Sequence, residues 1–576
     1  MKKVKFFIIT LLAIFSLNAQ NNLGKVFFDV RDYELAKKFF EQKLSENPGE
    51  ANYYLGEIAL AEGNLEAAAD FFNKGMSTNE VYCRVGLAKI DLKKGNKADA
   101  LSTYLQLTKR HSGDMNIFAA FGYAHLDNKS YQEVQTVLND MQKAKKNAPI
   151  IYILEGDMLY AQDKIGEAAG KYETALRFDS KLELAYIRLA EAYEKSSWQT
   201  AVEYLNNLLE QNPDYTLAYR YLGRIYSSAK IGQWQKAIDA YKTFFAAGYY
   251  TLDDIGKLAQ ALFFQAFFSD NNYEEAYAKI NEGLEIAPND FTLNRFRMYV
   301  AARTQNIESG LKYAEHFFSL KGDYIARDYT MYAQMLKEAK MYDEALEQYK
   351  QVLFIDPTNV DMYKEMATIA NLKGQNGVAA DYLKLFIEKK GADKVEVVTD
   401  FFQMGRYYYI ACNARNAADT ALLLSRFQNI DFTKTISENE LQKDSLLTDK
   451  QLFIEKTLKY YMNQADKAFD AFIERNPASY QGFLWKARTN SLLDPETELG
   501  LAKPHYEKVI ELLVEREEKN PTMISSLVEA YRFLAWFYYK NKDFPNAKLN
   551  CEKVLELDPE EPNGKAILDE LKKHKF

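Results

Sequence analysis

The sequence predicts an all-α fold built from repeated helical hairpins, and three observations predict it. Apolar residues recur at helical spacing in paired segments, and small residues recur in those segments about every 34 positions. No segment alternates apolar and polar residues for long enough to indicate a sheet. A chain of 576 residues is too long for one compact core. A repeat array escapes this limit because each unit packs only on its neighbours.

The clearest copy of the repeat spans residues 323–357, with two helical stripes separated by a short turn near Lys340. The first stripe holds Tyr329, Tyr332, Ala333 and Leu336, and the second holds Tyr342, Ala345, Leu346 and Tyr349. The small side chains of Ala333 and Ala345 let the two helices approach closely while the tyrosines fill the surrounding space. Pro357 ends the second helix, because proline lacks a backbone N–H and disfavours helical angles in the preceding residue.

Small residues recur at the matching places of the other hairpins. In first helices they are Gly56, Ala88, Gly122, Gly156, Ala190, Gly223, Ala367, Gly405 and Ala535. In second helices they are Ala68, Ala100, Ala168, Ala201, Ala237, Ala379, Ala417 (paired with Gly405) and Ala547, while Val134 replaces a small residue in one copy. Prolines close several units, namely Pro48, Pro213, Pro288, Pro357, Pro477 and Pro559. The pattern predicts about fifteen hairpins.

Residues 1–19 are expected to form a secretory signal peptide. Lys2, Lys3 and Lys5 make a positive region, an apolar run follows, and Ala19 ends a plausible cleavage site. The apolar run is too short to span a membrane comfortably. An uncleaved anchor remains the alternative. After cleavage no transmembrane segment is expected. The mature protein would be exported, with the periplasm as its expected location and an association with the outer membrane.

The remaining chain divides into four predicted segments. Residues 20–428 form an N-terminal repeat array, and residues 449–559 form C-terminal repeats. Between them, residues 429–448 are polar and carry no helical stripe, which predicts a linker or long loop. Residues 560–576 are expected to form an amphipathic helix that caps the exposed face of the last repeat.

This spacing and residue code resemble the tetratricopeptide repeat family over essentially the whole chain after residue 19. The resemblance implies a right-handed superhelical solenoid whose concave wall is built from the first helix of each hairpin. It also implies that extended peptides or partner helices lie in that groove. Other proteins are therefore the expected partners.

Candidate partner-binding side chains on the concave face lie off the packing stripe, close to the small residue of a first helix. They are Arg220 and Arg224, then Phe402, Arg406 and Tyr409, and finally Arg532, Trp536 and Tyr539. Arg220 and Arg224 lie one turn apart and could receive a carboxylate by paired hydrogen bonds. The alternative is that these arginines pair with neighbouring carboxylates and that Trp536 packs on the C-terminal helix.

Catalytic and cofactor-binding patterns are not found in the sequence, so no catalytic, cofactor or metal site is predicted. The five histidines are isolated, namely His111, His125, His316, His505 and His574. There is no glycine-rich phosphate loop and no nucleophile elbow. The three cysteines are far apart, and a net charge of −8 argues against nucleic-acid binding.

The sequence therefore predicts a non-catalytic protein–protein interaction scaffold in the periplasm, as a part of outer-membrane assembly or secretion machinery. Two alternatives stay open. In the first, the chain binds envelope glycan or peptidoglycan through aromatic platforms. In the second, it is a non-catalytic subunit of an envelope enzyme complex.

Overall fold

The structure is a computed structural model that describes residues 23–269, 271–413 and 450–573, without the side chains of residues 413 and 450–456. Across these ranges the chain forms 29 α-helices and no strand. The predicted all-α class of repeated helical hairpins is confirmed. The predicted signal peptide (1–19), the polar segment (429–448) and Ala417 lie outside the described residues.

Two compact units divide the chain. Unit 1 runs to Thr304 and also holds His316–Leu320, whereas unit 2 holds Gln305–Glu315 and the residues from Lys321 onward. The helices of unit 1 are α1 (Leu23–Asp29), α2 (Tyr33–Lys43), α3 (Pro48–Ala61), α4 (Leu65–Gly75), α5 (Glu80–Lys94), α6 (Lys97–Arg110), α7 (Met115–Asp127), α8 (Tyr131–Ala144), α9 (Pro149–Ala161), α10 (Ile165–Phe178), α11 (Glu183–Tyr193), α12 (Trp198–Gln211), α13 (Thr216–Tyr226), α14 (Trp234–Phe245), α15 (Leu252–Phe268), α16 (Glu274–Ile286) and α17 (Phe291–Arg303).

The residues of helix α18 (Ile307–Ser319) are divided between the units. The helices of unit 2 that follow it are α19 (Ala326–Glu338), α20 (Tyr342–Ile355), α21 (Met362–Leu372), α22 (Asn376–Lys390), α23 (Val398–Asn413), α24 (Lys450–Arg475), α25 (Tyr480–Leu493), α26 (Lys503–Val514), α27 (Pro521–Lys540), α28 (Phe544–Leu557) and α29 (Pro562–Lys573). A 3₁₀ turn, Val395–Val397, leads into α23. In chain order these helices make fourteen pairs and a final single helix.

Left-handed backbone conformations recur at the turn inside the hairpins. Residues with φ between 56° and 86° at these turns include Arg31, Gly63, Gly95, Lys129, Asp163, Asn271, Lys340, Gly374 and Lys542. In three hairpins the next residue caps the second helix with its side chain. Asp32, Asn64 and Asp543 accept hydrogen bonds from the backbone N–H groups three residues later. The turn and cap together fix where each second helix begins.

Close packing of glycine against an aromatic ring joins successive helices. Gly56 of α3 and Gly86 of α5 both contact the ring of Phe72, a fully buried residue of α4. A Cβ would lie 2.5 Å from that ring at Gly56 and 2.4 Å at Gly86, far inside van der Waals contact. Gly156 packs on Tyr172 in the same way. The recurring small residues are therefore required by the rings that fill each hairpin.

The clearest repeat folds as predicted. Its two stripes lie on α19 and α20, with the turn at Lys340. Ala333 and Ala345 are completely buried. Pro357 follows α20 by two residues, and the same offset separates Pro213, Pro288, Pro477 and Pro559 from the helices before them.

One detail of the repeat assignment differs from the prediction. Pro48 does not close a unit but is the first residue of α3, where a missing N–H costs nothing and the fixed φ of proline favours the helix. Gly405 packs on Phe469 of α24. Its predicted partner, Ala417, lies outside the described residues, so that pairing stays a prediction.

Candidate functional site

Arg220 on α13 is engaged by two carboxylates of its own chain. Its Nη1 donates to Oδ2 of Asp32, and its Nε donates to Oδ1 of Asp254 at 2.6 Å. Asp254 is almost fully buried. Burial lowers the pKa of Arg220, but Asp254 and Asp32 outweigh it and raise that pKa above its ordinary value. The guanidinium also lies 5.6 Å from the ring centroid of Phe244.

Arg224, one turn later, has a different environment. Its Nη2 lies 2.6 Å from Oε2 of Glu194, and its guanidinium covers the ring of Tyr221 at 4.5 Å from the centroid. About half of the side chain is exposed, so this ion pair is open to solvent screening. Both arginines therefore pair with neighbouring carboxylates, as the alternative in the sequence analysis had it, and do not jointly present an empty anion site.

Arg532 on α27 also pairs within the chain, whereas Trp536 remains accessible. Nη1 of Arg532 lies 3.4 Å from Oε1 of Glu561, a buried carboxylate before α29. Trp536 is 43% exposed and stacks on Tyr539, with 6.2 Å between the ring centroids. The ammonium group of Lys540 lies 5.6 Å from the centroid of Trp536. This cluster forms an exposed aromatic platform beside a cation.

Phe402, Arg406 and Tyr409 on α23 meet a tryptophan that the sequence analysis missed. Trp485 of α25 lies 6.5 Å from Phe402 and 5.3 Å from Tyr409, measured between ring centroids and edge to face in both cases. The guanidinium of Arg406 lies 5.1 Å from the Trp485 centroid. Arg488 approaches the same ring at 4.8 Å. We call these five residues the aromatic–arginine surface.

The two arginines of the aromatic–arginine surface differ in how their charge is balanced. Arg488 makes a bidentate ion pair with Glu529 of α27, with distances of 2.8 and 2.6 Å. Hydrogen bonding to Glu529 raises the pKa of Arg488. Arg406 makes no ion pair with any residue that the structure describes, and its buried Nε has no hydrogen-bond partner. Arg406 is therefore a cation held against aromatic rings with donor capacity to spare.

Two of the cysteines are packed inside the helical core. Cys83 and Cys551 are completely buried free thiols, and burial is the main cause that raises the pKa of each to about 11. Such thiols are suited to packing.

In the described ranges, no helix combines the length and apolar character that crossing a bilayer requires. Over the same ranges, no three His, Cys, Asp or Glu side chains are placed to share a metal ion.

The geometry defines a class of protein, an array of repeated helical hairpins packed side by side. Sequence profiles described as tetratricopeptide repeat match residues 21–77, 188–249 and 528–561. The first segment covers α1–α4, the second runs from the middle of α11 through α14, and the third runs from within α27 through α28. The chain therefore carries tetratricopeptide repeats in these three segments. This fold is generally a non-catalytic scaffold, and the repeats suggest a protein–protein interaction role.

Three similar proteins illustrate the likeness. A DnaJ homolog subfamily C member 7 homolog from Dictyostelium discoideum is 20% identical over 288 residues, which cover 49% of this chain and 46% of that protein. The chain thus matches about half the length of this curated relative. The C-terminal part of a repeat-containing protein from Cytophaga hutchinsonii is 24% identical with a TM-score of 0.36, covering 53% of this chain and 99% of that one. A tetratricopeptide repeat protein from Parabacteroides merdae is 17% identical with a TM-score of 0.31, covering 47% and 98%.

Proposed function

We propose that this chain is an exported, non-catalytic scaffold that holds protein partners in the periplasm, as part of an outer-membrane assembly or secretion machine. Within unit 2, we propose that the aromatic–arginine surface is where a partner segment binds. The carrying observation is Arg406, whose charge no described carboxylate balances. Arg220 pairs with Asp32 and Asp254, and Arg532 pairs with Glu561, so neither arginine offers an unbalanced charge in this structure.

The chemistry of the aromatic–arginine surface selects its partner. A partner carboxylate brought to Arg406 would form a charge-assisted hydrogen bond with a guanidinium whose charge no described carboxylate balances. Phe402, Tyr409 and Trp485 supply apolar area beside the charge, and aromatic residues next to arginine are typical of interface hot spots. The expected partner segment therefore carries an Asp or Glu side chain next to an apolar residue.

Replacing Arg406 with alanine is expected to weaken partner binding about 30-fold, because a central arginine contributes about 2 kcal/mol at a hot spot. Full-length wild-type and Arg406→Ala proteins would be used as baits in envelope extracts, with quantitative mass spectrometry of the captured proteins. Arg475→Ala is the matched control. Arg475 also contacts an aromatic ring, that of Phe401, but pairs with Glu474 and its own helix carbonyl. Equal capture by all three baits would contradict the assignment.

A glycan-binding function is the second candidate, favoured by the exposed platform of Trp536 and Tyr539. Stacked aromatic rings can receive the apolar face of a sugar. Sedimentation with isolated peptidoglycan separates the two functions. Retention that is lost in Trp536→Ala and unchanged in Arg406→Ala would favour the glycan.

Export is supported by the residue pattern of positions 1–19. N-terminal sequencing of the protein purified from the envelope fraction would begin at Gln20 if the signal is cleaved as proposed. A start at Met1 in the cytosolic fraction would contradict it.

A further inference from the structure

The first hairpin of unit 1 contacts hairpins that lie far away in the sequence. Nη2 of Arg188 donates to the backbone carbonyl of Asp29 at 3.1 Å, and Arg220 binds the carboxylate of Asp32. Arg31 lies 3.5 Å from Oδ1 of Asp127. Arg188 and Asp29 are 159 residues apart in the sequence. Stacking between neighbouring repeats does not produce contacts between residues so far apart.

Aromatic packing accompanies these polar contacts. Tyr249, in the loop after α14, lies 6.2 Å from Phe27 and 5.6 Å from Phe39, measured between ring centroids. Its hydroxyl donates to Oε1 of Gln42 at 3.0 Å. Phe27 is completely buried. Both helices of the first hairpin therefore take part in the contact.

The residues that receive the first hairpin define one surface. Asp127, Arg188 and Arg220 lie on α7, α11 and α13, the first helices of the fourth, sixth and seventh hairpins, and Tyr249 follows the seventh. We call these four residues the hairpin-contact face. The family resemblance assigns partner binding to first helices, so the chain's own first hairpin occupies a surface of the kind that partners use.

The charges on the hairpin-contact face remain balanced if the first hairpin leaves. Arg188 keeps Asp157 at 2.9 Å and Glu191 at 3.0 Å. Arg220 keeps Asp254 at 2.6 Å. If the first hairpin leaves, Arg188 loses the Asp29 carbonyl and Arg220 loses Asp32, but each arginine keeps a carboxylate partner. Such an interface suits exchange of one acidic ligand for another.

We propose that the hairpin-contact face is a second partner-binding surface, selective for a helical protein segment that presents a carboxylate between aromatic rings, and that the first hairpin competes with that partner. The hairpin displays the required chemistry in Asp32, Phe27 and Phe39. This proposal rests on the proposed scaffold function but uses unit 1, whereas the Arg406 test reads unit 2. Failure of either test leaves the other result interpretable.

The test uses a fluorescent synthetic peptide with the sequence of residues 23–47 as the probe and full-length chains as receptors. Asp32→Asn in the receptor removes the charge that binds Arg220 but keeps a residue able to cap α2. A receptor's apparent affinity is proportional to the fraction of molecules in which the face is open, so weakening the first hairpin's own contact raises peptide affinity. We expect the peptide to bind the Asp32→Asn chain about tenfold more tightly than the wild type. Glu41→Gln, the same chemical change at an exposed position of α2, should match the wild type.

A second probe separates specific binding from a generally loosened chain. The peptide carrying Asp32→Asn should bind the Asp32→Asn chain about tenfold more weakly than the natural peptide, because it offers Arg220 no carboxylate. Equal affinity of the natural peptide for all three chains, or no binding to the Asp32→Asn chain, would overturn the proposal. Equal binding of the two peptides to the Asp32→Asn chain would overturn it as well.

Discussion

Replacing Arg220 with alanine is expected to lower the local stability of unit 1 by about 3 kcal/mol, which is about a hundredfold loss of hydrogen-exchange protection. The substitution removes the partner of Asp254, a nearly fully buried carboxylate, and releases Asp32 at the same time. Asp254 also receives the N–H and hydroxyl of Thr251, which anchors the start of α15. Amide exchange followed by mass spectrometry should show the loss in peptides from α1, α2, α13 and α15.

Arg224→Ala is the matched control for this prediction. Arg224 lies one turn away on the same helix, and its ion pair with Glu194 is largely exposed. Exposed pairs contribute about 0–1 kcal/mol, so protection should change by less than tenfold. Equal losses in Arg220→Ala and Arg224→Ala would show that the contact between the first hairpin and α13 carries no special stability.

Replacing Gly86 with alanine is expected to destabilise the second and third hairpins by about 2 kcal/mol, although alanine is the better helix former. The new methyl group would lie 2.4 Å from the ring of Phe72. That ring cannot retreat, because it is completely buried and contacts Gly56 as well. Exchange protection in α4 and α5 should fall about 30-fold.

Gly170→Ala should have the opposite sign. Gly170 lies inside α10, and a Cβ there would meet no other heavy atom within 4 Å. The usual gain in helix propensity, about 1 kcal/mol, should then appear as increased protection of α10. A stabilising effect of Gly86→Ala, comparable to that of Gly170→Ala, would contradict the role assigned to the small residues.

The repeat could be predicted from the sequence because its determinants are local and recur. The small residue and the ring that it contacts, such as Gly56 and Phe72, lie within one hairpin. Individual turns and helix boundaries depend on packing as well as on local sequence. Pro48 satisfies the rule for a proline after a helix and also the rule for a proline at a helix start, and only packing decides between them.

The candidate site was only partly predictable. A positional rule, which takes the residues three before, one after and four after the small residue of a first helix, selects Phe402, Arg406 and Tyr409 around Gly405. The structure brings all three together around Trp485. The rule does not select Trp485, because this residue lies on another hairpin, two positions before the small residue Ala487. Applied to the small residue Ala487, the rule would have selected Arg488, which contacts the Trp485 ring.

The fate of Arg220 could not be read from the sequence. Asp32 is 188 residues away, and no repeat period connects the two positions. Whether an arginine on a first helix is open to partners depends on which carboxylates the fold brings to it. Arg220 and Arg406 both lie on first helices beside a small residue, yet Arg220 pairs with two carboxylates and Arg406 with none among the described residues.

The proposed scaffold function is tested most directly by site-specific photocrosslinking in living cells. A benzophenone amino acid in place of Tyr409 would lie beside Trp485, and crosslinked products would be identified by mass spectrometry. We expect discrete protein adducts that disappear when Arg406→Ala is introduced into the same chain. Crosslinking that yields no protein adduct, or the same adducts with and without Arg406, would contradict the assignment of this surface to a protein partner.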